Sequence, residues 1–117
     1  MQFAYFELTS SPAGSAPPGF ALAESICQKL SAAGPFERGD YGWEWKFRGT
    51  GYSAVAVLQR HGAGWLIPIR PGFIARMLNR GVSAASDVGD AIRFVAGDKL
   101  SRLEIFASEA DFAKSRI

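Results

Sequence analysis

The fold is decided by the segment YGWEWKFR, residues 41–48. Aromatic residues occupy every second position, and glycine or charged residues lie between them, which is the period of a β-strand. The pattern predicts a strand with one aromatic and one mainly charged face. The aromatic face is either core, or a solvent-facing platform for nucleic-acid bases or a protein. Core is favoured, because a small domain can hardly forgo the burial of four large rings.

The residues that follow extend this strand into an antiparallel meander. The turn 49–51 contains two glycines and leads to a strand over 52–60, which is apolar at nearly every position from Ala54 to Leu58 and is therefore expected to be central. A second glycine-rich turn, 61–64, leads to a strand over 65–69. Pro68 has no N–H to donate, which favours an edge position or a strand end for this segment.

The rest of the chain supplies helices and two more strands. Turn residues, apolar periodicity and capping signals predict the following elements: a strand over 2–8, a helix over 19–33 stopped by Gly34-Pro35, a short helix over 73–80, a helix from Ser86 or Asp87 to Gly97, a strand over 102–107, and a terminal helical turn from Ser108. The predicted fold class is α+β: a single-layer, mainly antiparallel sheet in the order strand, helix, three strands, two helices, strand, with the helices on one face.

Length and composition predict one globular domain over residues 1–117. The chain is 48% hydrophobic and 21% charged, which is typical of a protein with a packed core. No basic leader precedes the short apolar run at the N-terminus, so a cytoplasmic location without membrane insertion is expected. The single cysteine, Cys27, falls on the apolar side of the first helix and is interpreted as a buried small side chain.

Positive charge is concentrated in the middle of the chain. Residues 45–86 contain six lysines and arginines, His61 and no carboxylate, although the net charge of the whole chain is only +2. Two tryptophans lie in the same window. Such a surface suits an anionic partner. The residues predicted to bind it are Lys46, Arg48, Arg60, His61, Trp65 and Arg70.

The sequence gives little support for catalysis. His61 is the natural candidate for acid–base chemistry, but no Asp, Glu, Ser or Cys lies close to it in sequence to form a relay. One histidine and one cysteine far apart do not form a metal ligand set. The glycine turns join strand to strand and so do not open a phosphate-binding helix. Arg70 does precede a predicted helix start at Phe73, an elementary anion-binding arrangement, although an ordinary helix start is favoured. We therefore expect no catalytic residue, no metal and no cofactor.

Taken together, these features resemble one class of protein. A single α+β domain without leader or catalytic constellation, with an aromatic meander beside a charge-biased surface, resembles the small cytoplasmic immunity proteins that bacteria pair with toxins. The resemblance implies a non-catalytic protein that binds and neutralises a toxin domain. Immunity proteins of nuclease toxins are often acidic, and this chain is not. The alternative from the residues is an RNA-binding or anionic-ligand module that uses the basic window over 46–80. An enzyme of unrecognised type is a third, less favoured interpretation. None of the three fixes the oligomeric state.

Overall fold

The computed structural model describes residues 1–9, 19–38, 42–72 and 81–117. Their secondary structure is α+β, as predicted, and the predicted helix over 73–80 lies outside the described residues. The elements are β1 Gln2–Leu8, α1 Phe20–Lys29, β2 Ala33–Arg38, β3 Gly42–Gly49, β4 Tyr52–His61, β5 Gly64–Pro71, α2 Gly81–Ala96, β6 Leu100–Phe106 and α3 Glu109–Ser115, with a 3₁₀ turn at Gly97–Lys99. None of these helices is long and apolar enough to cross a membrane.

The strands form one open sheet in the order β2-β3-β4-β5-β1-β6, and all neighbours are antiparallel. The central position predicted for β4 is confirmed. The edge position or strand end suggested by Pro68 is wrong, because β5 lies between β4 and β1 and Pro68 pairs with Phe3 in its interior. The ladder between β4 and β5 is interrupted between Ala56 and Gln59, so the missing N–H of Pro68 falls where no β4 partner is paired.

The sequence interpretation missed β2. It extended the first helix to Ala33 and treated Gly34-Pro35 as its stop, whereas the helix ends at Lys29 and the chain turns through Ser31, which has a left-handed φ of 56°. The segment then pairs with β3, with a register shift between Ala33 and Phe36. Pairing with the neighbouring strand outweighs the local breaker residues. Helix α2 also begins earlier than predicted, and β6 begins at Leu100.

The predicted aromatic core is confirmed on the face that α1 and α2 cover. Trp43, Trp45 and Phe47 are buried there, and Trp45 is fully inaccessible. Tyr41, the first ring of the pattern, lies outside the described residues. Helix α2 is also tied to the sheet through a hydrogen bond from the Tyr52 hydroxyl to Asp87. We call this side of the sheet the helix-side face.

The prediction that all helices lie on one face is wrong, because α3 packs on the opposite side, the outer face. Phe112 of α3 stacks on Phe3 of β1 with ring centroids 4.7 Å apart, and contacts Phe106 of β6 at 5.4 Å. Apolar side chains at the outer-face positions of β1 and β6 explain this placement, since they form a second small core. The start of α3 was predicted correctly: the Ser108 side chain accepts a hydrogen bond from the Asp111 N–H at 3.1 Å.

Candidate functional site

Three of the predicted binding residues meet on the outer face. Lys46 of β3 and Arg70 of β5 are the cross-strand partners of Val55 of β4, and Arg48 pairs with Ser53 one step further along. Directly paired residues of an antiparallel sheet point to the same side. The register therefore places the three cationic side chains around a small floor of Val55 and Ser53.

A cavity of about 850 Å³ lies over this floor. Its wall is completed by the segment Leu30–Ala33, which connects α1 to β2, and by Pro71 and Gly72 at the end of β5. Phe47 and Ala54, which belong to the helix-side core, also contribute to the lining. No Asp, Glu or His is found among the described residues that line it. We call it the basic cavity. The polar side chains among its lining residues are two arginines, one lysine, Ser31 and Ser53.

A backbone hydrogen bond fixes the part of the cavity wall formed by Gly72. The Gly72 N–H donates to the Ser53 carbonyl oxygen at 2.7 Å, which keeps the residues after β5 against the start of β4. A Cβ added to Gly72 would lie 2.8 Å from the Ser53 hydroxyl oxygen. A larger residue at position 72 would therefore clash with the Ser53 side chain. Glycine at this position leaves the Ser53 hydroxyl accessible.

The cations of the basic cavity have no carboxylate partners among the described residues. Lys46, Arg48 and Arg70 are exposed, and none forms an ion pair with a described Asp or Glu. Like charges at neighbouring cross-strand positions repel one another. An anion bound between them would relieve that repulsion and accept hydrogen bonds from two guanidinium groups.

The other predicted binding residues lie at the far end of β4. Arg60 and His61 pair with Trp65 and Gly64, roughly 17 Å along the strand from Val55 at about 3.4 Å per residue. Arg60 lies over the Trp65 ring at 4.9 Å on the helix-side face, where Trp65 is buried. The structure thus divides the predicted set into two groups and does not bring it together as one patch.

His61 points to the outer face and takes part in the second core. Its ring centroid lies 6.0 Å from that of Tyr5 and 5.7 Å from that of Phe112. This packing gives the half-buried imidazole a structural role under α3. The Phe73 helix start that was considered beside Arg70 lies outside the described residues, so Arg70 is placed only by its position in the basic cavity.

The half of the outer face under α3 differs from the cavity in its charge pairing. The Tyr5 hydroxyl donates to Glu7 at 2.8 Å, and Arg102 contacts Glu7 at 3.3 Å and also forms an ion pair with Glu104. Burial raises the pKa of the Tyr5 hydroxyl, and the hydrogen bond to Glu7 and the charge of that carboxylate raise it further. Every ionisable group in this cluster has an internal partner.

Groups suited to catalysis are not assembled in the described residues. Cys27 is buried against the helix-side core, and burial raises the pKa of its thiol to about 12, so it is protonated at neutral pH. The described residues contain no group of three or more His, Cys, Asp or Glu side chains that would hold a metal ion. The basic cavity can bind and orient an anion, but the described residues supply it with no general base.

Sequence reasoning identified the three cations but not the cavity that they line. The wall from Leu30 to Ala33 depends on β2, which the sequence pattern did not predict, and the floor depends on the register between β4 and β5. Comparison of the chain with protein-family models, with curated proteins and with solved structures finds no match.

Proposed function

We propose that this chain is a non-catalytic binding protein, an immunity protein that neutralises a toxin domain by receiving an acidic group of that domain in the basic cavity. The observation that carries the proposal is the gathering of Lys46, Arg48 and Arg70 around one cavity with no described carboxylate to pair them. An arrangement of this kind attracts an anionic partner.

The lining of the cavity favours a protein as that partner. Aliphatic surface from Val55 and Ala33 lies beside the arginines. Apolar surface around arginine anchors is the usual anatomy of the centre of a protein interface. A guanidinium group also binds a carboxylate through two parallel hydrogen bonds, which gives orientation as well as affinity. We therefore infer that an Asp or Glu side chain of the partner is the inserted group.

RNA is the second candidate, since phosphate groups also fit three cations. The position of the β3 rings argues against it. Trp43, Trp45 and Phe47 are buried on the helix-side face and are not available for base stacking. Single-strand binding without stacking relies on charge and declines steeply as salt rises.

A growth assay tests the proposal. The product of the reading frame adjacent to this one is expressed in a bacterial host with and without this chain. We expect growth inhibition that the wild-type chain relieves, no relief by the double variant Arg48→Glu/Arg70→Glu, and full relief by Arg93→Glu. Arg93 is the matched control because it is exposed on α2, across the sheet from the cavity, and pairs with Asp90 at 3.1 Å.

A binding measurement on the purified proteins completes the test. The double variant is expected to bind the toxin domain about a hundredfold more weakly, because two charge reversals leave the inserted carboxylate facing like charge. A neighbouring product that is not toxic, or that the wild-type chain does not neutralise, would refute the immunity function. Neutralisation that survives the double variant would instead refute the cavity as the site. Tight binding of single-stranded RNA that disappears at high salt would select the second candidate.

A further inference from the structure

The two edges of the sheet are built differently. At one edge, β2 contains Gly34-Pro35 and a register shift against β3, and proline removes a backbone donor. Such irregularities are common protection against strand addition. At the other edge, β6 has the sequence LSRLEIF, with neither proline nor glycine, and within the described residues only β1 pairs with it. Strand β6 has a register shift against β1 only at its start, between Leu100 and Arg102, so its backbone from Arg102 to Phe106 is regular, and no described strand pairs with its outer edge.

Two apolar side chains of β6 are also partly exposed to solvent. Ile105 is 39% exposed, and its methyl end packs over Gly89 of α2, where an added Cβ would approach it to 3.2 Å. Leu103 is only partly buried, although it packs on the helix-side core. Two branched apolar side chains thus lie along an edge that is open to solvent on one side. Burial of this stripe against a neighbouring strand would be favourable.

The order of charges along β6 indicates what that neighbour is. Arg102 and Glu104 flank Leu103 and both belong to the outer face, where they pair with Glu7 and Tyr5 of β1. If a second β6 runs antiparallel to the first with Leu103 opposite Leu103, each Arg102 lies directly across from a Glu104 of the other copy. Opposite charges at directly paired positions stabilise a sheet, and like charges destabilise it.

We propose that β6 pairs antiparallel with the β6 strand of a second copy of this chain, about a two-fold axis at Leu103, so that the two sheets become one continuous sheet. Each Arg102 is then placed between Glu7 of its own chain and Glu104 of the other copy. The Leu103 and Ile105 side chains of both copies form one apolar stripe on the helix-side face. Such an interface is self-complementary, as a two-fold dimer requires.

The dimer is expected to be weak and to depend on concentration. Pairing two edge strands of seven residues buries little area beside the roughly 1,200–2,000 Å² of a stable complex. The basic cavity lies across the sheet on β3, β4 and β5, so it stays open in the dimer. Self-pairing and the binding function proposed above are therefore independent and are tested separately.

Sedimentation velocity of the full chain tests the pairing by charge exchange. The wild type is expected to shift from monomer to dimer as its concentration is raised to about 1 mM, the range of weak association. The single variants Arg102→Glu and Glu104→Arg each place like charges opposite one another and are expected to remain monomeric. An equimolar mixture of the two restores opposite charges at both pairs and is expected to form a heterodimer. Circular dichroism checks that each variant is folded.

A second pair of variants distinguishes loss of the β6 interface from a general folding defect. Ile105→Lys introduces the residue that most often guards exposed strand edges and is expected to abolish the dimer. Phe36→Lys is the control on the opposite edge, because Phe36 is 62% exposed on β2, and it is expected to dimerise like the wild type. A wild type that stays monomeric throughout, a dimer that Ile105→Lys leaves intact, or a dimer that Phe36→Lys abolishes would overturn the proposal.

Discussion

The two halves of the outer face differ in whether their charged side chains have ion-pair partners. Under α3, Arg102 contacts Glu7 and Glu104, and the aromatic rings of Phe3 and Phe112 close over the sheet. In the basic cavity, three cations surround the floor of Val55 and Ser53, and none of them has a described carboxylate as a partner. The charges of the first half are paired within the described residues, whereas the cations of the second half have no carboxylate partner among them. The difference separates surface that serves stability from surface available for binding.

Loss of the α3 ring that packs on the sheet should have the largest effect on stability. Phe112→Ala deletes a ring that packs on Phe3, Phe106 and His61, and should lower the free energy of unfolding by about 2 kcal/mol, less than for a fully buried phenylalanine because Phe112 is only partly buried. Urea denaturation measures the change. Lys114→Ala on the exposed side of the same helix is the control and should be within about 0.5 kcal/mol of the wild type. Equal losses in the two variants would contradict the second core.

Alkaline pH should produce the next effect, to which Tyr5 of the α3-covered half contributes together with two buried groups of the helix-side face, Cys27 and Tyr52, whose pKa values are also raised. The pKa of Tyr5 is raised in the folded chain above its ordinary value of 10.0, and that of the buried Cys27 thiol rises from 9.0 to about 12. The unfolded chain therefore releases these protons first as pH increases. The stability that these groups contribute is complete below about pH 9 and is lost progressively between about pH 9 and 12.

The Tyr5→Phe variant sharpens this comparison. Its free energy of unfolding should fall less steeply above pH 9 than that of the wild type, because one of the shifted groups is gone. Ser53→Ala, in the basic cavity, should keep the wild-type slope. Urea titrations at a series of pH values measure both slopes, and a Tyr5→Phe profile parallel to the wild type would argue against the contribution of Tyr5.

Truncation of single arginines should produce the smallest changes in stability. The sign of the change should differ between the two halves of the outer face. Arg102→Ala removes two half-exposed ion pairs and should lower stability slightly. Arg70→Ala removes no ion pair with a described residue and relieves repulsion, so stability should stay the same or rise by a few tenths of a kcal/mol. Thermal denaturation in dilute solution and low salt compares them. A larger loss for Arg70→Ala than for Arg102→Ala would reverse our assignment of the two halves.

Much of the fold could be predicted from local pattern. The alternation over residues 41–48 identified β3 and its buried rings, because a period of two is a property of the strand itself. The position of β1 between β5 and β6 has no local signature, since it depends on which strands meet after the chain has folded. Strand β2 was missed for the same reason: its breaker residues are local, whereas its pairing with β3 is not.

The candidate site was predicted by composition, and strand parity explains where that prediction fails. Lys46 and Arg48 are two residues apart on β3 and therefore lie on the same face of the sheet. Val55 of β4 pairs with both Lys46 and Arg70, so Arg70 lies on that face too. Arg60 and His61 are consecutive residues, so one must lie on each face of the sheet. A basic window along the sequence therefore does not amount to a basic patch in space unless the register is also known.

The placement of the tryptophans has a practical consequence. All three, Trp43, Trp45 and Trp65, are buried in the helix-side core, and none of them lines the basic cavity. Intrinsic fluorescence will therefore follow the loosening of the main core faithfully while staying almost unchanged when a ligand occupies the cavity. A screen for ligands that relied on emission quenching would discard true binders, so a reporter dye beside Ser53 is the better probe.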